Sequence, residues 1–308
     1  MLKRLLVLAT LVGSVAQAHA QSHDIPRTTD GRPDFHGVWE SRWRTPLERL
    51  DEADGPIVHA EQVRGLIAAL DKRAAALTGL HPDEDFDWGT LMPAAGGGFR
   101  TSLIVEPADG KLPLTPEARD WAKTIKDVRD RAEDPEARNL WERCIRGPGN
   151  TPLSISPGNM NRLIVQTDDH VVINTEDMAE ARIIAFVARN RPAALVSTMG
   201  ESTGHWEGDV LVIETRLLRP DPASPPGTEG QAIRKLTESL RFSEPNELSY
   251  EYTLEDSGMF IAPMRVAFTL VRTKARMFEA SCHEGNYSLA NILSGARVVE
   301  TRAMKAKP

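Results

Sequence analysis

The stretch IRKLTESLRFSEPNELSYEYTL, residues 233–254, contains two polar–apolar alternations joined by the turn-forming residues 244–247, Glu-Pro-Asn-Glu. In its second half, LSYEYTL, every second side chain is apolar or aromatic and the side chains between them are polar. Successive side chains of a strand point to opposite faces of the sheet. The stretch therefore predicts a β-hairpin whose second strand turns Tyr250 and Tyr252 inward.

Three further pairs of short apolar runs predict hairpins of the same kind. They are LIVQT with VVINTE around 168–170, GHW with VLVIET around 207–209, and RVAFTLV with MFEAS around 273–276. The run VLVIETR begins apolar on both faces, which predicts a strand packed on both sides. Consecutive hairpins favour an antiparallel meander, closed as a barrel or folded as a sandwich. We expect a mainly β protein with an antiparallel, lipocalin-like barrel of about eight to ten strands.

The N-terminal half has a different character. Apolar residues recur at helical spacing over 61–80, and two proline-led helix starts follow at Thr115-Pro116 and Asp134-Pro135. Residues 83–100 have no sustained period and predict a long loop. We expect a signal peptide at 1–20, a helical and loop segment at 21–150 that includes the first strand, and the barrel with a C-terminal helix at 151–308. We expect the two latter segments to form one integrated domain, with the N-terminal helices packed on the barrel.

The first twenty residues have the pattern of an export signal. Lys3 and Arg4 precede an apolar run, and Ala18-His19-Ala20 is a small-x-small cleavage site. Its removal would take the net charge from -7 to -9. A chain this acidic repels phosphate backbones, so nucleic acid is not an expected partner. No later stretch is long and apolar enough for a membrane span. We expect a periplasmic or secreted protein without integral membrane association.

The chain has two cysteines, Cys144 and Cys282. Export to an oxidising compartment favours a disulfide between them. The alternative is two separately buried thiols that behave as small apolar side chains. Neither cysteine belongs to a CxxC pair, and His205, Glu207 and Asp209 span a predicted turn rather than converging. We expect no metal and no cofactor.

Charged residues within apolar strand runs are the first candidates for a site. Glu176, Arg182, Glu214 and Glu238 are placed in this way. A buried charge is costly unless it is paired, so Arg182 with a carboxylate predicts either a structural ion pair or an acid–base pair with shifted pKa values. Tyr250 and Tyr252 would offer flat walls with hydroxyl donors to an aromatic or apolar ligand. Two core tyrosines without an adjacent cavity are the alternative.

The stretch SCHEGNYSLANIL, residues 281–293, is the second candidate. It predicts a strand end at Cys282, a polar turn, and a short helix capped by Ser288. If the protein is an enzyme, His283 would be the general acid–base, oriented by Glu284 or Glu176. Arg182 and Tyr252 would then hold an oxyanion or a phenolate. Alternatively, Asn286 and Glu284 bond backbone groups and only brace the corner.

Several long motifs resemble an exported and mostly uncharacterised bacterial family. They are DGRPDFHGVW (30–39), RTSLIVEPADGKLPLTPEA (100–118), ERC (142–144), IVQT (164–167), GHWEGDVLVIET (204–215) and CHEGNYSLANILSGAR (282–297). The resemblance implies a lipocalin-like or related β-barrel and no settled chemistry. Two histidines of the family pattern are replaced here by Ala179 and Ala193.

These patterns together favour an exported small-molecule protein whose barrel takes an aromatic or apolar compound. Glu176 and Arg182 with His283 and Glu284 form the catalytic set of this hypothesis. Tyr250, Tyr252, Glu214, Glu238 and Asn286 form its substrate-binding set. The activity would be that of a cofactor-independent lyase, isomerase or hydrolase. The alternative is a periplasmic ligand-binding barrel without turnover.

Overall fold

A computed structural model of the chain describes residues 25–78, 89–138, 140, 142–145, 151–155, 161–176, 181–188, 192, 194–216, 218, 235–279 and 281–306. The expected signal peptide and both alanines that replace family histidines, Ala179 and Ala193, lie outside these residues.

The described residues form twelve strands, four α-helices and one 3₁₀ helix at Pro135–Ala137. The strands are β1 Gly37–Glu40, β2 Ile57–Val58, β3 Phe99–Arg100, β4 Ile104–Glu106, β5 Arg162–Gln166, β6 His170–Thr175, β7 Ala181–Ala185, β8 Glu201–Glu207, β9 Val210–Arg216, β10 Lys235–Glu244, β11 Glu247–Glu255 and β12 Met264–Thr273. The helices are α1 Ala60–Thr78, α2 Pro116–Arg131, α3 Cys282–Gly285 and α4 Tyr287–Lys305.

Nine of these strands close into a barrel, which confirms the predicted fold. Their order is β1-β5-β6-β7-β8-β9-β10-β11-β12, and β12 returns to β1 with Thr273 opposite Val38. The short strand β4 also pairs with β12. Every barrel pair is antiparallel apart from β7 and β8, which run parallel with Ile184 opposite Ser202. A sequence of hairpins does not predict this parallel seam, because the chain crosses from β7 to β8 through residues 186–200 rather than through a tight turn.

The barrel interior is filled by the alternating apolar side chains that the sequence predicts. In β11, every second residue from Leu248 to Tyr252 is buried, with Tyr250 1% and Tyr252 7% exposed. Trp39 of β1 and Phe268 of β12 belong to the same core. At about 25 cal/mol per Å² of apolar surface removed from water, this core is the main favourable term in folding.

Two strand predictions are wrong. MFEAS was expected to pair with RVAFTLV, but described residues 274–279 contain no strand. The reason is that β12 already lies between β11 and β1, so neither of its edges is open to a further strand. The run VLVIETR, now β9, is buried on one face only. Glu214 is exposed on the other face, which is the solvent side of the barrel wall.

The N-terminal helices begin where the sequence predicts. Thr115 caps α2 by accepting a hydrogen bond from the Ala118 backbone N–H at 3.1 Å. Leu66 of α1 contributes to a small second core with Leu50, Val58 and Leu91. The predicted loop over 83–100 lies partly outside the described residues. Its end contains β3, which pairs with β2.

The C-terminal segment is joined to the helical segment by the predicted disulfide between Cys144 and Cys282, residues 138 positions apart. The helix that follows is 19 residues long rather than short, and Ser288 does not cap it. Asn286 is the cap, because its Oδ1 accepts a hydrogen bond from the Leu289 backbone N–H at 3.2 Å. Within the described part of the chain, no helix is long and apolar enough to cross a bilayer.

Candidate functional site

A cluster of polar side chains lies inside the barrel around Arg182 of β7. Its Nε donates to Ser202 Oγ of β8 at 3.0 Å, and its Nη2 donates to Thr215 Oγ1 of β9 at 2.7 Å. Both guanidinium nitrogens Nη1 and Nη2 bond the Glu238 carboxylate of β10, the first at 2.8 Å. These residues meet because each lies on the inward face of its strand and the strands are neighbours. The ion pair is fully enclosed, with the two side chains 2% and 0% exposed.

Tyr250 of β11 completes this cluster. Its hydroxyl donates to Glu238 Oε1 at 2.5 Å and accepts from the Leu153 backbone N–H at 2.9 Å. Burial and the neighbouring Glu238 carboxylate raise the pKa of Tyr250 well above its ordinary value. The same two causes raise the pKa of Tyr252. Both phenols are therefore held in the neutral, hydrogen-bonding form.

Burial acts on both buried guanidinium groups. It lowers the pKa of Arg182, but attraction to Glu238 and the hydrogen bonds between them outweigh it, so the net pKa is raised. Burial lowers the pKa of Arg162 to about 10, although Tyr250 partly opposes this. Arg162 Nη2 bonds the Ser154 carbonyl oxygen. Two buried arginines therefore belong to this part of the barrel, of which Arg182 pairs with the Glu238 carboxylate and Arg162 bonds a backbone carbonyl oxygen.

This geometry favours the structural interpretation of the Arg182 pair. Arg182 is bonded along Nε, Nη1 and Nη2, and Glu238 accepts from both Arg182 and Tyr250. A buried ion pair requires such additional bonds to offset the cost of desolvation. The bonds join four adjacent strands, β7 to β10, and extend to β11. The cluster fixes the register of this side of the barrel.

A cleft opens beside the cluster, at the seam between β7 and β8. These strands pair through only two residue pairs, and residues 181–183 of β7 have no partner on β8. Segment 197–200 lies next to this gap. The resulting cleft has a volume of about 200 Å³. It is lined by Ala181, Arg182, Ile183, Ala185, Ser197, Met199, Gly200, Glu201, Ser202 and Thr203.

Glu201 is the unusual side chain of this cleft. The residue is 7% exposed, and neither carboxylate oxygen has a hydrogen-bond partner among the residues that the structure describes. Arg216 forms an ion pair with it, with Nε 3.5 Å from Oε2, but without hydrogen-bond geometry. Buried carboxylates are normally hydrogen-bonded, because the unmet bonds of a charged group cost more than the usual 1–3 kcal/mol. In the described part of the chain, the Glu201 carboxylate oxygens are therefore strong acceptors that receive no hydrogen bond.

The C-terminal residues of the predicted catalytic set lie elsewhere. His283 and Glu284 are exposed on the short helix α3. Glu176 follows β6, and its carboxylate bonds two segments that are distant in sequence. Its Oε2 accepts from Asn161 Nδ2 at 2.8 Å, and its Oε1 accepts from the Phe278 backbone N–H at 2.6 Å. Both oxygens thus act as structural acceptors.

Asn286 is bonded in the same structural way. Its Nδ2 donates to the Glu142 carbonyl oxygen at 2.9 Å and contacts Cys144 Sγ at 3.3 Å, while its Oδ1 caps α4. These contacts match the alternative in which the polar stretch braces a corner. They attach α4 to the segment that contains Cys144.

The structure brings together one part of the predicted site and separates the rest. Arg182, Glu238, Tyr250 and Tyr252 share the barrel interior, and Arg182 alone of this predicted set lines the cleft. Glu214 lies on the outer face. Sequence reasoning missed Glu201. The available signal was a carboxylate opening an alternating strand directly after a glycine, in MGESTG.

No group of three His, Cys, Asp or Glu side chains within the described ranges is arranged to hold a metal ion. The chain matches no family model, no curated protein and no solved structure. The geometry of the cleft and of the cluster is consequently the basis for a functional proposal.

Proposed function

We propose that this protein binds a small polar molecule in the cleft between β7 and β8 and releases it unchanged. The observation that carries the proposal is the Glu201 carboxylate, which belongs to a residue lining that cleft and is buried without a hydrogen bond from any described residue. Thr203 is two residues further along the same strand and adds a hydroxyl group to the lining. Binding sites characteristically combine apolar walls with a few polar groups that fix orientation.

Binding without turnover has more support than catalysis. A general acid–base must come within hydrogen-bond reach of the reacting atom. His283 and Glu176 do not line the cleft, and the two oxygens of Glu176 already accept bonds from the chain. Arg182 and Glu238 are bonded to each other. A lyase, isomerase or hydrolase activity therefore has no assembled acid–base pair among the described side chains.

A polar ligand also has more support than the aromatic or apolar ligand expected from the sequence. The ring of Tyr250 packs against those of Tyr252 and Phe268, with ring centroids 6.0 and 5.0 Å apart. Leu153, which donates to the tyrosine hydroxyl, is itself fully buried. The three rings are therefore part of the hydrophobic core.

Export to the periplasm is part of the proposal. The N-terminal signal pattern and the disulfide between Cys144 and Cys282 both support an oxidising compartment outside the cytoplasm. A binding protein there would meet small solutes directly.

The test is a fragment screen of the purified mature protein, followed by two-dimensional ¹H–¹⁵N NMR. Compounds that bind as proposed shift backbone amides in 181–185 and 197–203. Ala181→Trp, which fills the cleft from its exposed lip, should abolish these shifts. Ala290→Trp, on exposed α4, is the matched control and should leave them intact.

His283→Ala separates this proposal from the catalytic alternative. We expect the variant to keep the ligand's Kd, because His283 is outside the cleft. Loss of binding in His283→Ala with retention in Ala181→Trp would move the site to the C-terminal stretch. Consumption of a bound compound by the wild-type protein would replace binding with turnover.

A further inference from the structure

Two charged residues line the cleft, Arg182 and Glu201, and they differ in how completely their charges are paired. Arg182 is positive, but the Glu238 carboxylate neutralises it through two nitrogens. Glu201 is negative, and among the described residues it pairs with Arg216 alone, at 3.5 Å and without a hydrogen bond. A ligand that complements this cleft would therefore carry a positive charge and hydrogen-bond donors for the Glu201 carboxylate.

Arg216 pairs with the Glu201 carboxylate from the exposed end of β9. Its side chain is 52% exposed at the end of β9, whereas that of Glu201 is 6% exposed. An ion pair with an exposed guanidinium contributes little net stability, because water solvates the charged group outside the pair as well. A ligand that brings a compact cation can take the place of the guanidinium and form the missing hydrogen bonds.

The rest of the lining limits the size and character of such a ligand. The cleft of about 200 Å³ holds the equivalent of about six water molecules at about 30 Å³ each. Ala181, Ile183, Ala185 and Met199 supply apolar walls beside the polar groups. This combination fits a short hydrocarbon body attached to one charged head.

From these contacts we infer that the ligand of the cleft is a small organic ammonium ion, with Glu201 as its counter-ion and Arg216 as the group it displaces. The inference rests on the proposed function, since it assigns a ligand class to the same cleft. The ammonium donates to the two carboxylate oxygens of Glu201. Its alkyl part packs against Ile183 and Met199.

The test compares three probes of similar size on the mature protein: n-butylammonium, 1-butanol and butyrate, each titrated with NMR detection of amides 197–203. We expect saturable shifts with butylammonium and at least tenfold weaker binding of butanol. Butyrate should bind more weakly still, because it would face the Glu201 carboxylate.

Three variants test whether Glu201 is the counter-ion of the ligand and whether Arg216 competes with it. Glu201→Gln should weaken butylammonium binding at least tenfold, while Glu207→Gln, an exposed glutamate on the same strand, leaves the Kd unchanged. Arg216→Gln should tighten butylammonium binding several-fold, because the competing cation is gone. A merely structural role for Arg216 predicts no such gain. This variant also keeps the test decisive if Glu201→Gln does not fold.

The results separate the ammonium assignment from the proposed binding function. Equal binding of butanol and butylammonium, preference for butyrate, or weaker binding in Arg216→Gln overturns the ammonium assignment and leaves a cleft that binds other molecules. If neither these probes nor the fragment screen shifts the cleft amides, both the ammonium assignment and the proposed function are wrong.

Discussion

Arg182 shows at the scale of single residues how a charge is kept inside this barrel. Its guanidinium bonds Ser202, Thr215 and Glu238, side chains of three other strands. The residue could be identified from its place in an apolar run, but its carboxylate partner could not. Glu176, Glu214 and Glu238 were equal candidates until strand neighbours were known.

Breaking the buried pair should be costly. We expect Arg182→Met to lower the free energy of unfolding by about 3–5 kcal/mol, because it leaves the Glu238 carboxylate buried without its counter-ion. The double variant Arg182→Met/Glu238→Leu should recover much of this loss. Urea denaturation measures both.

The control for that experiment is the exposed pair between Arg73 and Glu52, where the side chains are 48% and 51% accessible. Glu52→Gln should change stability by about 0–1 kcal/mol, since water screens the pair. An equally small effect of Arg182→Met would contradict the structural role given to the cluster.

The tyrosines give a prediction for pH. Burial raises the pKa of both Tyr250 and Tyr252 above the ordinary 10.0. A phenol with a raised pKa in the folded state stabilises the fold fully below pH 10, and this contribution is lost as pH rises toward the folded pKa. Stability should therefore fall above pH 10.

Absorbance at 295 nm checks this directly. Tyr287→Phe removes the third and exposed tyrosine of the chain, so only the two buried phenols remain. We expect no phenolate signal near pH 10 in this variant, and a cooperative rise only when the barrel unfolds. Gradual ionisation around pH 10 in the folded protein would show that the phenols are accessible.

At the scale of elements, the seam between β7 and β8 determines where the cleft forms. Glycines set the geometry of strand β8 at both of its ends. Gly200 precedes it with φ of +66° and Gly208 follows it with φ of +60°. A Cβ at Gly200 would lie 2.8 Å from the Arg216 carbonyl oxygen, whereas nothing lies within 4 Å of one at Gly208. The backbones of β8 and β9 thus approach closely beside Glu201.

These two glycines form a matched pair for mutation. Gly208→Ala introduces only the left-handed backbone cost of about 1–2 kcal/mol. Gly200→Ala adds a clash with the neighbouring strand, so we expect a larger loss, together with amide shifts across residues 197–203. Thermal unfolding and NMR measure the two effects. Equal destabilisation by both substitutions would show that the close approach at Gly200 is relieved without cost.

At the scale of the whole molecule, the disulfide joins the helical segment to the residues after the last barrel strand. In the chain-entropy account, closing a loop of 138 residues stabilises the folded state by about 4–5 kcal/mol. Reduction should therefore lower the urea midpoint by a corresponding amount. Cys144→Ser/Cys282→Ser should reproduce this shift and show no further response to reductant.

Mass spectrometry checks the bond itself. The unreduced exported protein should be two hydrogens lighter than the reduced form, and its cysteines should resist alkylation. Two alkylatable thiols in that sample would contradict the disulfide.

The sequence by itself determined the strands whose pattern is local. Alternation in LSYEYTL settled which side chains of β11 are inward, and Thr115-Pro116 marked the start of α2, because these signals depend only on neighbours along the chain. Pairing of the two cysteines was predicted from their number and from the expected export, and the disulfide between them is present.

Only the tertiary structure decided what depends on residues distant in sequence. Closure of β12 on β1 removed the edge that MFEAS needed, and the chain crossing after β7 made a parallel seam in place of a hairpin. Glu201 is conspicuous only once its carboxylate is buried at that seam. Strand periodicity specifies which face a side chain occupies, but pairing, closure and the gaps between strands arise from contacts that periodicity does not encode.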